Sequence, residues 1–305
     1  MNRDLQTRFT AAFLFLLTTA AVVLAWINFR KEAQFVPPYD GVWWLEREGS
    51  IIANRVDANG PGARAGINPG DRLVAVDGRP STTVSGVIAR LYQVGEWHNV
   101  TFSLQRGRYQ FDAVASLQAA QRPSNDWLRL IALIYLGIGL YVLFRRWTAP
   151  GSTHFYIFCL VSFVFYAFKY TGKLNSFDSK IYWGNVAAWL LQPALFLHFA
   201  LVFPEKLKLV RKNQWLIPAV YIPGLLLLAF HVAARVLSRA SETLRFQIDR
   251  WEMAYLVVYF IAAAMVFLHS YRIADRPILR QQLKWVTRGT ILAIVPFTVF
   301  YAMPF

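Results

Sequence analysis

Long apolar runs and short alternating ones divide this chain into three zones. Residues Phe9 to Phe29, FTAAFLFLLTTAAVVLAWINF, are uncharged. At about 20 residues they are long enough to cross a hydrocarbon core of about 30 Å as a helix. The run outlasts an ordinary signal-peptide core, and no small-x-small cleavage site follows it, so an uncleaved anchor is expected. After Pro123 the apolar texture returns in six stretches: about Trp127–Phe144, His154–Tyr170, Ile181–Phe203, Leu216–Ala234, Glu252–Ser270 and Gly289–Phe305. Each reads as a membrane helix.

Between the anchor and the later spans, from about Tyr39 to Gln118, the pattern is that of a small soluble domain. IIANRV, RLVAV, NVTFSL and YQFDAVASL are β-like runs bounded by turn residues, and QRGR reads as the hairpin turn between the last two. TVSGVIARLYQV breaks the series with helical spacing: Val84, Val87, Ile88 and Leu91 share one face, and Ser81 or Thr82 is expected to cap it. About 80 residues suffice for one domain with its own core.

Composition supports the membrane reading, with 56% hydrophobic, 16% aromatic and 16% charged residues. Soluble domains carry about a quarter charged residues. The net charge of +15 is spread in short clusters between apolar stretches. That distribution fits topology-setting loops, and no nucleic-acid partner is expected. RRWTAPGS, PEKLKLVRKNQW and YRIADRPILRQQLKWVTR are basic, whereas TGKLNSFDS and SRASETLRFQIDR mix signs. Cytoplasmic placement of the basic loops puts the Tyr39–Gln118 domain outside and the N-terminus inside. Trp127, Trp147, Trp183, Trp215, Trp251 and Trp285 fall near span ends, where interfacial aromatics collect. The one cysteine, Cys159, excludes an intrachain disulfide and a cysteine metal cluster.

One stretch, GPGARAGINPGDRLVAVDGRP (Gly60–Pro80), carries a specific order of signals. A short helical turn over Ala63–Ala65 ends at Gly66, which takes a left-handed conformation at no steric cost. Pro69-Gly70 suits a type II turn, Asp71 can accept backbone hydrogen bonds as the next strand begins, and Asp77-Gly78 marks a tight turn. This order, followed by a helix and two strands, resembles a PDZ domain of the bacterial type over roughly residues 38–118. The resemblance implies that a peptide or protein segment adds to a sheet edge beside the helix. It places the carboxylate loop near Tyr39-Asp40-Gly41-Val42, and the groove at Gly41, Val42, Trp43 and Trp44 against Val84, Val87, Ile88 and Leu91. The same helix residues equally suit the domain core. Asp40 would repel a terminal carboxylate, which favours an internal segment. Trp43 and Trp44 are adjacent on a strand and cannot share a face, so at least one is expected at the surface.

Two further phrases, LHFALVFPE (Leu197–Glu205) and RQQLKWVTRG (Arg280–Gly289), resemble the multi-span sensor region of bacterial membrane histidine kinases, including PDZ-bearing quorum-sensing kinases of the competence type. A related layout precedes SpoIIE-type phosphatase domains. RQQLKWV also reads simply as a basic amphipathic stretch, with Arg280, Lys284 and Arg288 turned toward anionic headgroups. His198 suits an interhelical hydrogen bond or a ligand role, and His154, His231 and His269 lie at span ends without metal-ligand spacing. Pro193, Pro218 and Pro223 are expected to kink their helices.

Absences narrow the function. There is no HExxH for an intramembrane zinc protease, no GxSxG elbow, and no acidic residue in the middle of a predicted span for a coupled transporter. No phosphoacceptor histidine box or ATP lid occurs, so the catalytic domains of a kinase are expected beyond Phe305. No cofactor or metal is expected. The expected fold is a polytopic α-helical membrane protein of about seven spans with one small extracytoplasmic α+β PDZ-like domain. It divides into a cytoplasmic N-terminus (1–8), an anchor (9–29), the PDZ-like domain (36–120) and a six-span bundle (127–305) in a bacterial inner membrane. The expected role is the input module of a signal-transducing receptor of the sensor histidine kinase kind, with a non-enzymatic membrane adaptor or the sensor of a SpoIIE-type phosphatase as the alternatives. Peptide, bilayer and a second copy of the chain are the candidate partners.

Overall fold

The computed structural model describes residues 3–120, 125–145, 151–171, 175–236 and 242–297. The whole N-terminal apolar run lies in one helix, α1 (Arg3–Ala33). It has no internal proline or glycine and ends before Pro37-Pro38, with Arg30 and Lys31 in its last turn, where cations suit the helix dipole. Two compact units follow from the chain's packing, one centred on Trp26–Ser124 and one holding the membrane helices.

In the first unit the strands are β1 (Pro38–Tyr39), β2 (Val42–Arg47) and β3 (Ser50–Val56), followed by α2 (Pro61–Arg64). Next come β4 (Arg72–Val76), β5 (Arg79–Pro80), α3 (Val84–Val94), β6 (Asn99–Arg106), β7 (Tyr109–Ser116) and β8 (Gln118–Ala119). The main sheet runs β2-β3-β4-β6-β7 with β5 beside β4, every pair antiparallel, and β1 pairs β8 separately. β2 is therefore an edge strand. Two-residue turns set the register: Glu48-Gly49 and Asp77-Gly78 both have positive φ at each position (51° and 72°, 49° and 70°), as hairpins of right-handed twist require. Gly107 (φ 62°) turns the QRGR hairpin, with Arg106 opposite Tyr109.

The core of this domain joins Ile51, Ile67, Val76, Phe102 and Leu104 of the sheet side to Val87 and Leu91 of α3. The cap of α3 differs from expectation. Thr83 is the capping residue, its Oγ1 accepting the Gly86 amide at 3.1 Å. A cap bonds the amide three residues on, and Ser81 and Thr82 stand too far upstream of the first free amides.

The membrane unit contains α4 (Asp126–Arg145), α5 (Ser152–Ala167), α6 (Ser176–Val202), the short α7 (Lys208–Lys212), α8 (Leu216–Val236), α9 (Glu242–Ile273) and α10 (Pro277–Phe297). Among the described residues, five helices are long and apolar enough to cross a membrane: α1, α4, α6, α8 and α9. The chain is thus a multi-span helical membrane protein carrying a small α+β domain. The predicted His154–Tyr170 span is shorter than expected, because α5 has 16 residues and Phe168 leaves it in extended conformation. The last expected span begins inside α10, a helix continuous from Pro277 with the basic stretch; its residues after Phe297 lie outside those described.

Small residues let these helices approach closely. A Cβ on Gly139 of α4 would lie 2.8 Å from the Cys159 Cβ of α5, and one on Gly224 of α8 would lie 2.9 Å from the Leu190 carbonyl of α6. Without water to solvate polar groups, helices in a bilayer pair them across their interfaces. Gln192 donates to Ser162 Oγ at 2.9 Å, Tyr255 to the Leu190 carbonyl at 3.0 Å and Tyr259 to the Val220 carbonyl at 2.8 Å. Thr18 and Tyr156 share a hydroxyl contact between α1 and α5.

Candidate functional site

The candidate groove runs between the β2 edge and α3. Gly41, with φ 75°, enters β2 where a Cβ would stand 2.9 Å from the Gly60 Cα, so only glycine lets the two backbones meet. The loop is pinned on both sides: Gly62 donates to the Asp40 carbonyl at 2.7 Å and Asp57 to the Gly41 carbonyl at 2.8 Å. Tyr39 donates to Asp57 Oδ2 at 2.5 Å, and this bond, with partial burial and the Asp57 charge, pushes its phenol up to about 12.

Alternation along β2 then sorts the side chains. Val42 and Trp44 pack on the domain core, the Trp44 ring 5.5 Å from Phe102. Trp43 turns to the other face, where it is 48% exposed beneath the Arg55 guanidinium, 5.0 Å from its ring centroid. On α3, Val87 and Leu91 are buried in the core, Val84 packs against it, and Ile88 is 36% exposed. Ile88 and Trp43 are therefore the apolar side chains most open to a partner, and they belong to different faces. Glu46 ties the two walls together, its Oε1 accepting the Val84 amide at 2.6 Å.

Asp40 stands in the loop that leads into β2. Its Oδ1 accepts the Val42 amide at 3.0 Å and its Oδ2 the Trp44 indole N–H at 2.8 Å. The side chain is buried. That burial holds its carboxyl above the usual range, against the pull of the Trp44 and Val42 hydrogen bonds. Asp40 thus takes up the Val42 amide at the entry to β2 with its own side chain. Sequence reasoning had no means of pairing Asp40 with Trp44, nor Glu46 with Val84, since loop-to-strand and strand-to-helix bonds leave no periodic signal.

The Gly60–Pro80 stretch is rigidified from a distance. Arg106 of β6 forks onto Asp71, Nε to Oδ1 and Nη2 to Oδ2, each at 2.7 Å, and Nη2 also reaches the Gly66 carbonyl at 2.7 Å. Asp71 accepts the Asn68 amide at 2.8 Å as well, the backbone bond its sequence position suggests. Burial raises the Asp71 carboxyl, but Arg106 and Asn68 outweigh it and hold the group below the usual range. Gly66 (φ 85°) and Gly70 (φ 94°) adopt the expected left-handed backbone.

In the membrane unit, His198 makes the interhelical bond, Nδ1 to the Tyr221 hydroxyl at 2.7 Å, with its ring centroid 4.0 Å from that of His154. A second constellation joins three helices. His231 of α8 lies between Tyr182 of α6 (2.7 Å to Nε2) and Glu252 of α9 (2.6 Å to Nδ1), with Arg235 over the Tyr182 ring at 4.0 Å. The sequence places Glu252 at the start of a span, whereas α9 begins ten residues earlier, at Glu242, and Glu252 lies buried within the apolar stretch from Phe246. Among the described residues, no group of three or more histidines, cysteines or acids is arranged to hold a metal ion.

Residues 128–305 match the model of the N-terminal 7TM region of histidine kinase, more than half of the chain. The chain belongs to this histidine-kinase 7TM family. Residues 52–106 match the PDZ domain model, so this 7TM sensor region carries a PDZ domain. No curated protein matches the chain. Among solved structures it is similar to an HtrA-type protease, AlgW, with a decapeptide (16% identity, 29% of this chain and 31% of that one, TM-score 0.28). Another is a serine endoprotease from Yersinia pestis (23% identity, 34% and 36% coverage, TM-score 0.28). The chain spans about a third of the length of these structures.

Proposed function

We propose that this histidine-kinase 7TM region is the input module of a receptor whose PDZ domain, outside the cytoplasm, captures an internal peptide or protein segment. The bound strand lies along the Gly41–Leu45 edge, beside the Thr83–Leu91 helix. Main-chain hydrogen bonds from β2 supply affinity, and side-chain contacts with Ile88 on one face and Trp43 on the other supply choice. The observation carrying this reading is the Asp40 carboxylate in the loop, bonded to Val42 and Trp44. A terminal carboxylate has to displace or adjoin a buried acid there, whereas the backbone of an internal segment does not. The module sends its signal through the membrane helices to a kinase output, and the basic loops support a cytoplasmic position for that output side.

A peptide-library screen on residues 36–120, followed by NMR titration, tests the reading. Ile88→Asp abolishes binding and Trp43→Ala weakens it, on the order of 2 kcal/mol for an aromatic anchor. Ile88 serves here because Val87 is fully buried, and a charge at Val87 would test folding instead. If no peptide shifts the resonances of β2 and α3, or if hits bind both variants as well as the parent, the groove is a structural surface and the adaptor reading replaces this one.

A further inference from the structure

α6 and α9 end at Val202 and Ile273, and a cleft of about 340 Å³ lies between the segments that follow them. Its charged lining is Lys206, Lys208 and Arg211 from one segment and Arg276 from the other, with Glu205 and Asp275 as the acids. Glu205 stands between the two arginines, 3.9 Å from Arg211 and 3.7 Å from Arg276, beyond hydrogen-bonding distance of either. All three side chains are more than half exposed, and loose exposed pairs of this kind hold little energy. Two guanidinium forks from different elements thus face one gap that a single carboxylate fills poorly. The rest of the lining is mixed, with Leu279 and the buried Leu283 on its apolar side, and outside it Leu209, next to Lys208, and Ile278, two residues after Arg276, stand exposed.

We propose that this cleft binds the headgroup phosphate of an anionic phospholipid, the phosphate replacing Glu205 between Arg211 and Arg276. Planar guanidiniums match phosphate oxygens bidentately, and a phosphate offers more acceptor oxygens than the carboxylate it displaces. The cleft lies where two apolar helices end, the level of lipid headgroups, and basic pockets at that level take anionic heads. Leu209 and Ile278, costly in water, reach the acyl boundary when the cations meet the headgroup layer. These apolar neighbours favour a lipid over free phosphate. A bound head ties the segment after α6 to the start of α10.

The test is native mass spectrometry of the full chain released from nanodiscs with equal mole fractions of phosphatidylglycerol and phosphatidylcholine. The parent retains phosphatidylglycerol preferentially. Arg211→Ala/Arg276→Ala lowers that preference about thirtyfold, at the scale of one juxtamembrane cation's contribution for each arginine. The charge-matched control Arg79→Ala/Arg108→Ala, at exposed positions of the PDZ domain, keeps it. Glu205→Gln raises it, because the competing acid is gone. No preference in the parent, equal loss in the control pair, or weaker retention in Glu205→Gln overturns the proposal. Displacement of the lipid by millimolar inorganic phosphate overturns the lipid assignment in favour of a soluble phosphoryl ligand.

Discussion

The indole N–H of Trp44 donates to Asp40 Oδ2 at 2.8 Å, while Asp40 Oδ1 takes the amide of Val42 at 3.0 Å. The loop that opens β2 is thereby closed on its own acid. Matched peptides ending in a free carboxylate or in an amide should bind residues 36–120 with affinities within about threefold. A productive carboxylate contact would separate them by tenfold or more, about 1.4 kcal/mol. Titration calorimetry on such pairs checks this, and a strong preference for the free acid contradicts it.

Two buried acids of the same domain should titrate with opposite signs. The Asp40 carboxyl is raised by burial, so the folded state holds its proton more tightly than the unfolded chain does. Its favourable contribution is full below the unfolded value of about 3.9 and is lost as pH rises through the higher folded value. Asp71 is lowered against Arg106 and Asn68, so its contribution is present above about 3.9 and is lost as pH falls through its lower folded value. Urea unfolding of the parent, Asp40→Asn and Asp71→Asn across acidic to neutral pH checks this. The parent-minus-Asn difference should fall with rising pH at Asp40. At Asp71 it should grow with rising pH, to about 2 kcal/mol, the scale of hydrogen bonds to a charged group.

Much of this domain is legible in the sequence because its signals are local. Gly66, Pro69-Gly70 and Asp77-Gly78 each need a backbone conformation that few residues tolerate, and the structure puts Gly66, Gly70 and Gly78 at positive φ. The β-runs and the face of α3 follow from periodicity. Arg106–Asp71 joins residues 35 apart in sequence, and Glu46–Val84 joins residues 38 apart, so neither leaves a local mark. Span ends were harder. Apolarity locates the middle of a helix, but polar residues such as Glu252 continue it, and the Asp126, Ser176 and Glu242 starts all precede the hydrophobic cores.

Gly66→Val should destabilise residues 36–120 by about 1 kcal/mol or more, through backbone strain alone. At φ 85° a Cβ there meets no heavy atom within 4 Å, so the strain comes from the backbone and not from a Cβ clash. Thermal unfolding of the isolated domain checks it, and an unchanged midpoint contradicts the strain argument.

In the membrane unit, the His231 and Glu252 side chains are about nine-tenths buried and bonded at 2.6 Å. Glu252→Leu removes the Nδ1 partner of His231, which keeps the Tyr182 hydroxyl at Nε2. His231→Leu leaves the Glu252 carboxyl behind in the bundle, and the double change leaves neither member of the pair. A double-mutant cycle in detergent or nanodiscs should return a coupling of about 1 kcal/mol, and additive effects contradict a direct pair.

The account depends most on which side of the membrane the PDZ domain occupies. In a chain with Cys159 replaced by serine, single cysteines at Ser85, Ser176 and Asn213, all exposed, report it in intact cells. An impermeant thiol reagent should label Ser85→Cys and Ser176→Cys and leave Asn213→Cys unlabelled until the membrane is opened. Protection at Ser85→Cys with labelling at Asn213→Cys places the groove in the cytoplasm and contradicts the receptor.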